Sequence, residues 1–168
     1  MATIDRVLGR SSSVGAVSAG GDPILVRRAE ARDADSVLAL LAGLGRPAVA
    51  DDPEPQRGIF LDHLSFDDAA VFVAELGGEL VGTVSLWIRP RLNWTSPEAW
   101  IPDLYVAPGN RRRGLARALL DACAREARRR RCHRLVLESG HKRTEAHRLY
   151  ESYGFADLGR VYELRLDS

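Results

Sequence analysis

Large apolar residues are unevenly spread along the chain, and their spacing divides it. The first 22 residues hold few of them, and Ser11–Gly21 is built only from Ser, Gly, Ala and Val. Such side chains bury too little surface to offset the entropy of ordering them. Residues 1–22 therefore read as a flexible N-terminal extension. From Ile24 the pattern changes. Ile24–Ala29 has the apolar density of a strand. Asp33 stands where a helix cap is expected, ahead of Val37, Leu38, Leu40, Leu41 and Leu44 at helical spacing. Gly45 and Pro47 stop that helix, and Asp51–Pro55 reads as a loop or helix start. Ile59, Phe60 and Leu64 fit a second amphipathic helix.

The strand-like runs Ala70–Leu76 and Leu80–Ile88 flank Gly77-Gly78, a hairpin signal. After the loop Pro90–Pro97, Ala99–Val106 is another strand, interrupted by Pro102. A proline has no N–H to give to a ladder, so a bulge or an edge is where it fits. A long helix over Gly114–Arg131 follows, with Leu115, Ala118, Leu119, Ala122 and Cys123 on one stripe. Arg134–Glu138 reads as a strand, Thr144–Tyr153 as a helix and Val161–Leu166 as a last strand. The order β-α-α-β-β-β-α-β-α-β predicts one α/β domain over residues 23–168, with a mixed sheet flanked by helices.

Charge changes this picture locally. The net charge of the 168 residues is +1, which excludes a uniformly basic nucleic-acid binder. Yet Arg111–Arg148 holds twelve arginines and Lys142 against Asp121, Glu126, Glu138 and Glu145, a local balance of +9 that leaves −8 for the rest. Arg128–Arg131 closes the long helix, where cations complement the negative end of the dipole. Cys123 and Cys132 have no metal-ligand or disulfide spacing and read as buried thiols. No apolar run is long enough to cross a membrane, and the first residues lack a long apolar signal core, so the expected compartment is the cytoplasm.

Chemistry concentrates where a strand runs through a turn into the long helix: Asp103-Leu-Tyr-Val-Ala-Pro-Gly-Asn-Arg111-Arg112-Arg113-Gly114-Leu115-Ala116-Arg117. A helix N-terminus offers unpaired N–H groups and the positive end of the macrodipole. Small residues let a phosphate approach that backbone, and neighbouring arginines add charge-assisted hydrogen bonds. The spacing is neither the nucleotide-hydrolase phosphate loop nor the dinucleotide fingerprint. A second block follows, Glu145-Ala-His-Arg-Leu-Tyr150-Glu-Ser-Tyr153-Gly-Phe155.

Together the two blocks resemble the GCN5-related N-acetyltransferase (GNAT) superfamily. The first resembles its acetyl-CoA motif, Arg/Gln-x-x-Gly-x-Gly/Ala after a Val-x-Pro strand end. The second resembles its Ala-x-x-Leu-Tyr-x-x-x-Gly-Phe helix. The likeness covers roughly residues 24–166. The run Ser139–Arg143 leading into Glu145-Ala146-His147 also resembles a sub-group acting on small amines or histone-like substrates. The resemblance implies a single domain with splayed central strands and acetyl-CoA as co-substrate, without a metal. It implies that the backbone of Leu104, Tyr105 and Val106 holds the pantetheine arm as an added strand. It places the pyrophosphate over Arg112, Arg113, Gly114, Leu115, Ala116 and Arg117, beside Arg111. Tyr150 matches the family's general acid.

The base is open. Asp103 lies on the central strand, Glu75 and Glu98 are alternatives, and a water chain can relay the proton. Pro102 stands where the small-amine sub-group carries a carboxylate. Arg143 replaces a common family Asn and reads either as a contact to a CoA phosphate or as an exposed helix-start arginine. His63, His141 and His147 read as packing or surface residues. Trp87, Trp94 and Trp100 read as packing, or as a wall of an acceptor pocket formed with the first two helices. The expected acceptor is an amine of a small molecule or peptide, with no membrane or nucleic-acid partner, and a homodimer is a family-level expectation. Two other readings stay open: a non-catalytic CoA-binding module and an arginine-mediated nucleic-acid binder.

Overall fold

The structure, a computed structural model, describes residues 14–18, 23–45, 53–159, 162 and 164. Its elements follow in the order β1 (Val14–Ser18), β2 (Pro23–Arg28), α1 (Ala34–Ala42), α2 (Glu54–Ser65), β3 (Ala69–Leu76) and β4 (Glu79–Arg89). Then come β5 (Glu98–Ile101), β6 (Leu104–Val106), α3 (Leu115–Arg129), β7 (Leu135–Leu137) and α4 (Thr144–Tyr153). The expected strand over Val161–Leu166 falls outside the described residues, apart from Tyr162 and Leu164. So does most of the expected extension, but β1 lies within it and pairs antiparallel with β2. A strand at a sheet edge needs backbone hydrogen bonds more than side-chain burial, so the small residues of Val14–Ser18 can form one.

The sheet is mixed. Its strands run in the order β1-β2-β3-β4-β5-β7, with β6 also on β4. Every pair is antiparallel except β5 with β7. Gly77 and Gly78, at φ 60° and 85°, make the two-residue hairpin between β3 and β4. Two positive φ values in succession match the right-handed twist of the strands, and glycine adopts them without a Cβ penalty.

Period-two alternation on β3 separates two cores. Ala70, Phe72 and Ala74 join the cluster of Leu115, Leu119 and Cys123 from α3. Val71 and Val73 join Ala34, Val37 and Phe60 from α1 and α2. The α3 stripe widens beyond its predicted members to Leu120, Ala124 and Ala127. Leu115, Leu119 and Leu120 are fully enclosed, worth about 1.5–3 kcal/mol each. α1 stops at Ala42 with Gly43 as its C-cap, short of the Gly45 and Pro47 that the sequence offers as its stop, and α2 ends at Ser65. Asp33 does not cap α1 through its side chain. Its carboxylate instead accepts from the Glu30 N–H and from Arg27, whose guanidinium also pairs with Glu75.

Candidate functional site

The site is built at a break in one strand. Against β4, β5 pairs Trp100 with Trp87, whereas β6 pairs Leu104 with Val84. Three residues, Ile101, Pro102 and Asp103, therefore face two on β4. This is a one-residue bulge where Pro102 predicts one. Before the bulge the chain pairs with both β4 and β7; after it, among the described residues, β6 pairs with β4 alone. The central strands are thus splayed.

The register decides which backbone groups the open edge presents. Ser85 donates its N–H to the Asp103 carbonyl at 3.0 Å, and Ala107 donates to Val81 at 2.9 Å. In an antiparallel ladder bonded pairs alternate with non-bonded ones, so Tyr105 exchanges its bonds with Thr83. Leu104 and Val106 then turn their N–H and C=O groups to the edge away from β4. Of the three residues the resemblance assigns to the pantetheine arm, these two have outward backbone groups, whereas those of Tyr105 go to β4. The Tyr105 side chain packs against the end of α1. A Cβ on Gly43 would come within 2.1 Å of its hydroxyl.

From Val106 the chain turns through Arg111–Gly114 into α3. Gly114 is the N-cap, at φ 85°, and makes no side-chain cap. The first helical bond runs from the Ala118 N–H to the Gly114 carbonyl. The N–H groups of Leu115, Ala116 and Arg117 accordingly have no partner within the helix. A Cβ on Gly114 would meet no protein atom within 4 Å, so the space in front of this helix end is open. Arg111 and Arg112 are exposed and Arg113 is half-buried. Arg111 is held by donating to the Val106 carbonyl at 3.2 Å and lies over the Tyr105 ring at 5.9 Å. Arg113 donates to Asn110, and Arg117 lies over the Tyr153 ring. Orphan amides, an open approach and anchored guanidinium groups fit a pyrophosphate.

Beside the splay lies a cavity of about 240 Å3. Asp103, Leu104, Glu138, Ser139, Arg143 and Tyr150 line it, and Leu44 at the end of α1 completes one side. Burial pushes the Tyr150 phenol above its ordinary value, and the Arg143 guanidinium draws it partly back. The phenol is therefore protonated at neutral pH, the form a proton donor needs. Asp103 accepts from the Ser85 hydroxyl at 3.3 Å. Arg143 donates to the Leu44 carbonyl at 3.4 Å. Tyr153 points elsewhere: it donates to Asp121 at 2.7 Å, and burial together with that bond pushes its phenol up to about 12.

The other carboxylates considered from sequence do not line the cavity. Glu98 is 1% exposed and held by Arg89, Arg91 and Arg134. Burial opposes its charge, but the bonds from Arg134 and Arg89 hold it below the usual carboxylate range. Glu75 is paired with Arg27. Nor does any tryptophan line it. Trp94 stacks on His133 at 4.3 Å, Trp100 lies under Arg89, and Trp87 donates to His63. His63 in turn bonds the Ile59 carbonyl through Nδ1, so it packs. His141 and His147 are also absent from the lining. Glu138 and Ser139 are cavity residues the sequence reading did not single out. The available signal was position: both stand at the C-terminal end of a short apolar strand, where open α/β sheets expose their ligand sites.

The family model described as Acetyltransferase (GNAT) family matches residues 37–155. The chain belongs to this acetyltransferase family. Similar GNAT structures include an aminoglycoside N-acetyltransferase in complex with CoA, 21% identical, with a TM-score of 0.78 over 90% of this chain and 100% of that one. A ribosomal-protein-alanine N-acetyltransferase from Brucella melitensis biovar Abortus 2308 is 25% identical, with a TM-score of 0.71 over 85% and 99% of the two chains. An acetyltransferase from Trypanosoma brucei is 27% identical, with a TM-score of 0.72 over 85% and 99%. No curated protein matches the chain. Among the described residues no helix is long and apolar enough to cross a membrane, and no group of three or more His, Cys, Asp or Glu could hold a metal ion.

Proposed function

We propose that the protein is an acetyl-CoA-dependent N-acetyltransferase of the cytoplasm that acetylates a primary amine of a small molecule or peptide by direct attack. The observation that carries this reading is the shared cavity. Tyr150, the open edge at Leu104 and the carboxylates of Asp103 and Glu138 meet in one space.

Acetyl-CoA, a substrate, supplies the activated acetyl group. The N–H and C=O of Leu104 and the N–H of Val106 hold its extended arm by backbone bonds, in the manner of an added strand, while the Val106 carbonyl stays with Arg111. The amides of Leu115, Ala116 and Arg117 take the pyrophosphate, with Arg111, Arg112 and Arg113 adding charge and Gly114 leaving room. The acceptor amine arrives protonated. Asp103, with Glu138 as the second carboxylate in reach, removes that proton directly or through water. As the C–N bond forms and the C–S bond breaks, Tyr150 gives its phenolic proton to the departing thiolate, and the second proton shed by the acylated nitrogen restores the phenol, directly or through water. The catalytic domain spans residues 23–168, with β1 supplied by the preceding segment.

Steady-state thiol release against a panel of amines tests this, with Tyr150→Phe as the decisive variant. We expect a fall in kcat of about a hundredfold with acetyl-CoA affinity retained. CoA binding without turnover for any amine would replace the enzyme reading with that of a binding module.

A further inference from the structure

The lining of the cavity suggests which amines it takes. Two carboxylates, Asp103 and Glu138, suit an ammonium group, but Arg143 faces the same space. Arg143 is the N-cap residue of α4, at the positive end of that helix, where a cation is disfavoured, and its guanidinium makes no cap bond. Among the described residues no carboxylate lies within ion-pair distance of it; its bond is to the neutral Leu44 carbonyl. A second donor stands beside it. Ser139 borders the cavity, and its Oγ is buried with no hydrogen-bond partner among the described residues. Buried hydroxyl groups without partners are uncommon in folded proteins. A guanidinium at a helix N-terminus together with an unengaged hydroxyl makes an oxyanion site. A cavity of about 240 Å3 is roughly 8 Å across, so one small molecule reaches both this site and the carboxylates.

We propose that Arg143 and Ser139 read a carboxylate carried by the acceptor close to its amine, so that the preferred acceptor is a zwitterionic amino acid-like molecule. This rests on the acetyltransferase reading above. Arg143 then serves the acceptor rather than a CoA phosphate. The amine of such an acceptor sits by Asp103 and Glu138, and its carboxylate is held by the fork of Arg143. A second ammonium in the place of the carboxylate meets the guanidinium and is rejected.

Three acceptors of equal length test this: β-alanine, propylamine and 1,3-diaminopropane, compared by kcat/KM for thiol release. The wild-type protein should favour β-alanine over propylamine by about tenfold or more, with the diamine poorest. Arg143→Gln should bring the β-alanine to propylamine ratio close to one, whatever it does to the absolute rates, and Arg143→Lys should recover part of it. Ser139→Ala should lower the same ratio less. Equal rates for β-alanine and propylamine in the wild-type protein, a preference for the diamine, or a ratio that survives Arg143→Gln would overturn the inference while leaving the acetyltransferase standing. No acetylation of any of the three, with turnover of another amine in the wider panel, would overturn the inference alone; no turnover with any amine would overturn both.

Discussion

Replacing Gly114 by alanine adds one methyl group at a backbone position of φ 85°. Two consequences separate. The first is conformational: a left-handed residue with a Cβ costs about 1–2 kcal/mol, which for a domain of this size lowers Tm by about 2–8 °C. No steric cost is added within the protein, because the new Cβ would meet nothing within 4 Å. The second consequence falls on the ligand. The open space before α3 is the space a phosphate needs to reach the amides of Leu115, Ala116 and Arg117. Losing two charge-assisted bonds of about 1.5 kcal/mol each weakens CoA by about a hundredfold. Gly114→Asn sharpens the comparison, since asparagine tolerates the left-handed region better than alanine. Stability should therefore fall in the order Gly, Asn, Ala, whereas CoA affinity should fall for both variants. Differential scanning calorimetry and titration calorimetry with CoA read the two effects separately. If Gly114→Ala bound CoA within about threefold of wild type, the pyrophosphate would not lie over this helix end and the assignment of the turn would be lost.

Two further predictions concern carboxylates. Asp103→Asn is expected to lower kcat/KM for thiol release by about a hundredfold, with Glu138→Gln costing about tenfold or less; the reverse order would move the base to Glu138. Glu126 is largely buried, which opposes its charge, but Arg129 and Arg130 hold it down to about 2, with Arg28 adding to the effect. Its contribution to stability is therefore complete above its ordinary value of 4.5 and is lost as the pH falls from there towards 2. Allowing for the exposure of the arginines, the amount is about 1–2 kcal/mol. Glu126→Gln should lower stability by that amount at pH 7 and by little near pH 2, and an unchanged pH dependence of urea unfolding would refute the assignment.

Local patterns of the chain were legible wherever one residue type had one use. The glycine pair of the hairpin and the stripe of α3 lead directly to the observed elements, and of the bulge or edge that Pro102 allows the structure adopts the bulge. The two motif blocks led to the cavity because they carry small residues and a tyrosine at set spacings. What escaped depends on pairing across the chain. That Tyr105 spends its backbone on Thr83 follows from register, which the sequence of either strand alone does not contain. Glu138 and Ser139 became cavity residues because β5 pairs with β7 only as far as the bulge. For the tryptophans the sequence left packing and a pocket wall both open, because a large aromatic ring suits a pocket and a stack equally well; the structure takes packing, with His63, His133 and Arg89 as the partners. β1 was missed for a related reason: hydrophobic content measures burial, and an edge strand needs little.

The bulge at Pro102 bears on which chains can reach the open edge of the strand. Unpaired peptide groups on an outer strand form a template for a neighbour's strand. Here the open groups of Leu104 and the N–H of Val106 lie inside the sheet, in a notch that begins where β5 stops pairing with β7. A lone extended chain can enter such a notch. The rim of another sheet cannot, because each of its strands brings a companion about 4.8 Å away. A single inserted residue thus keeps a hydrogen-bonding edge available to a slender ligand while withholding it from aggregation.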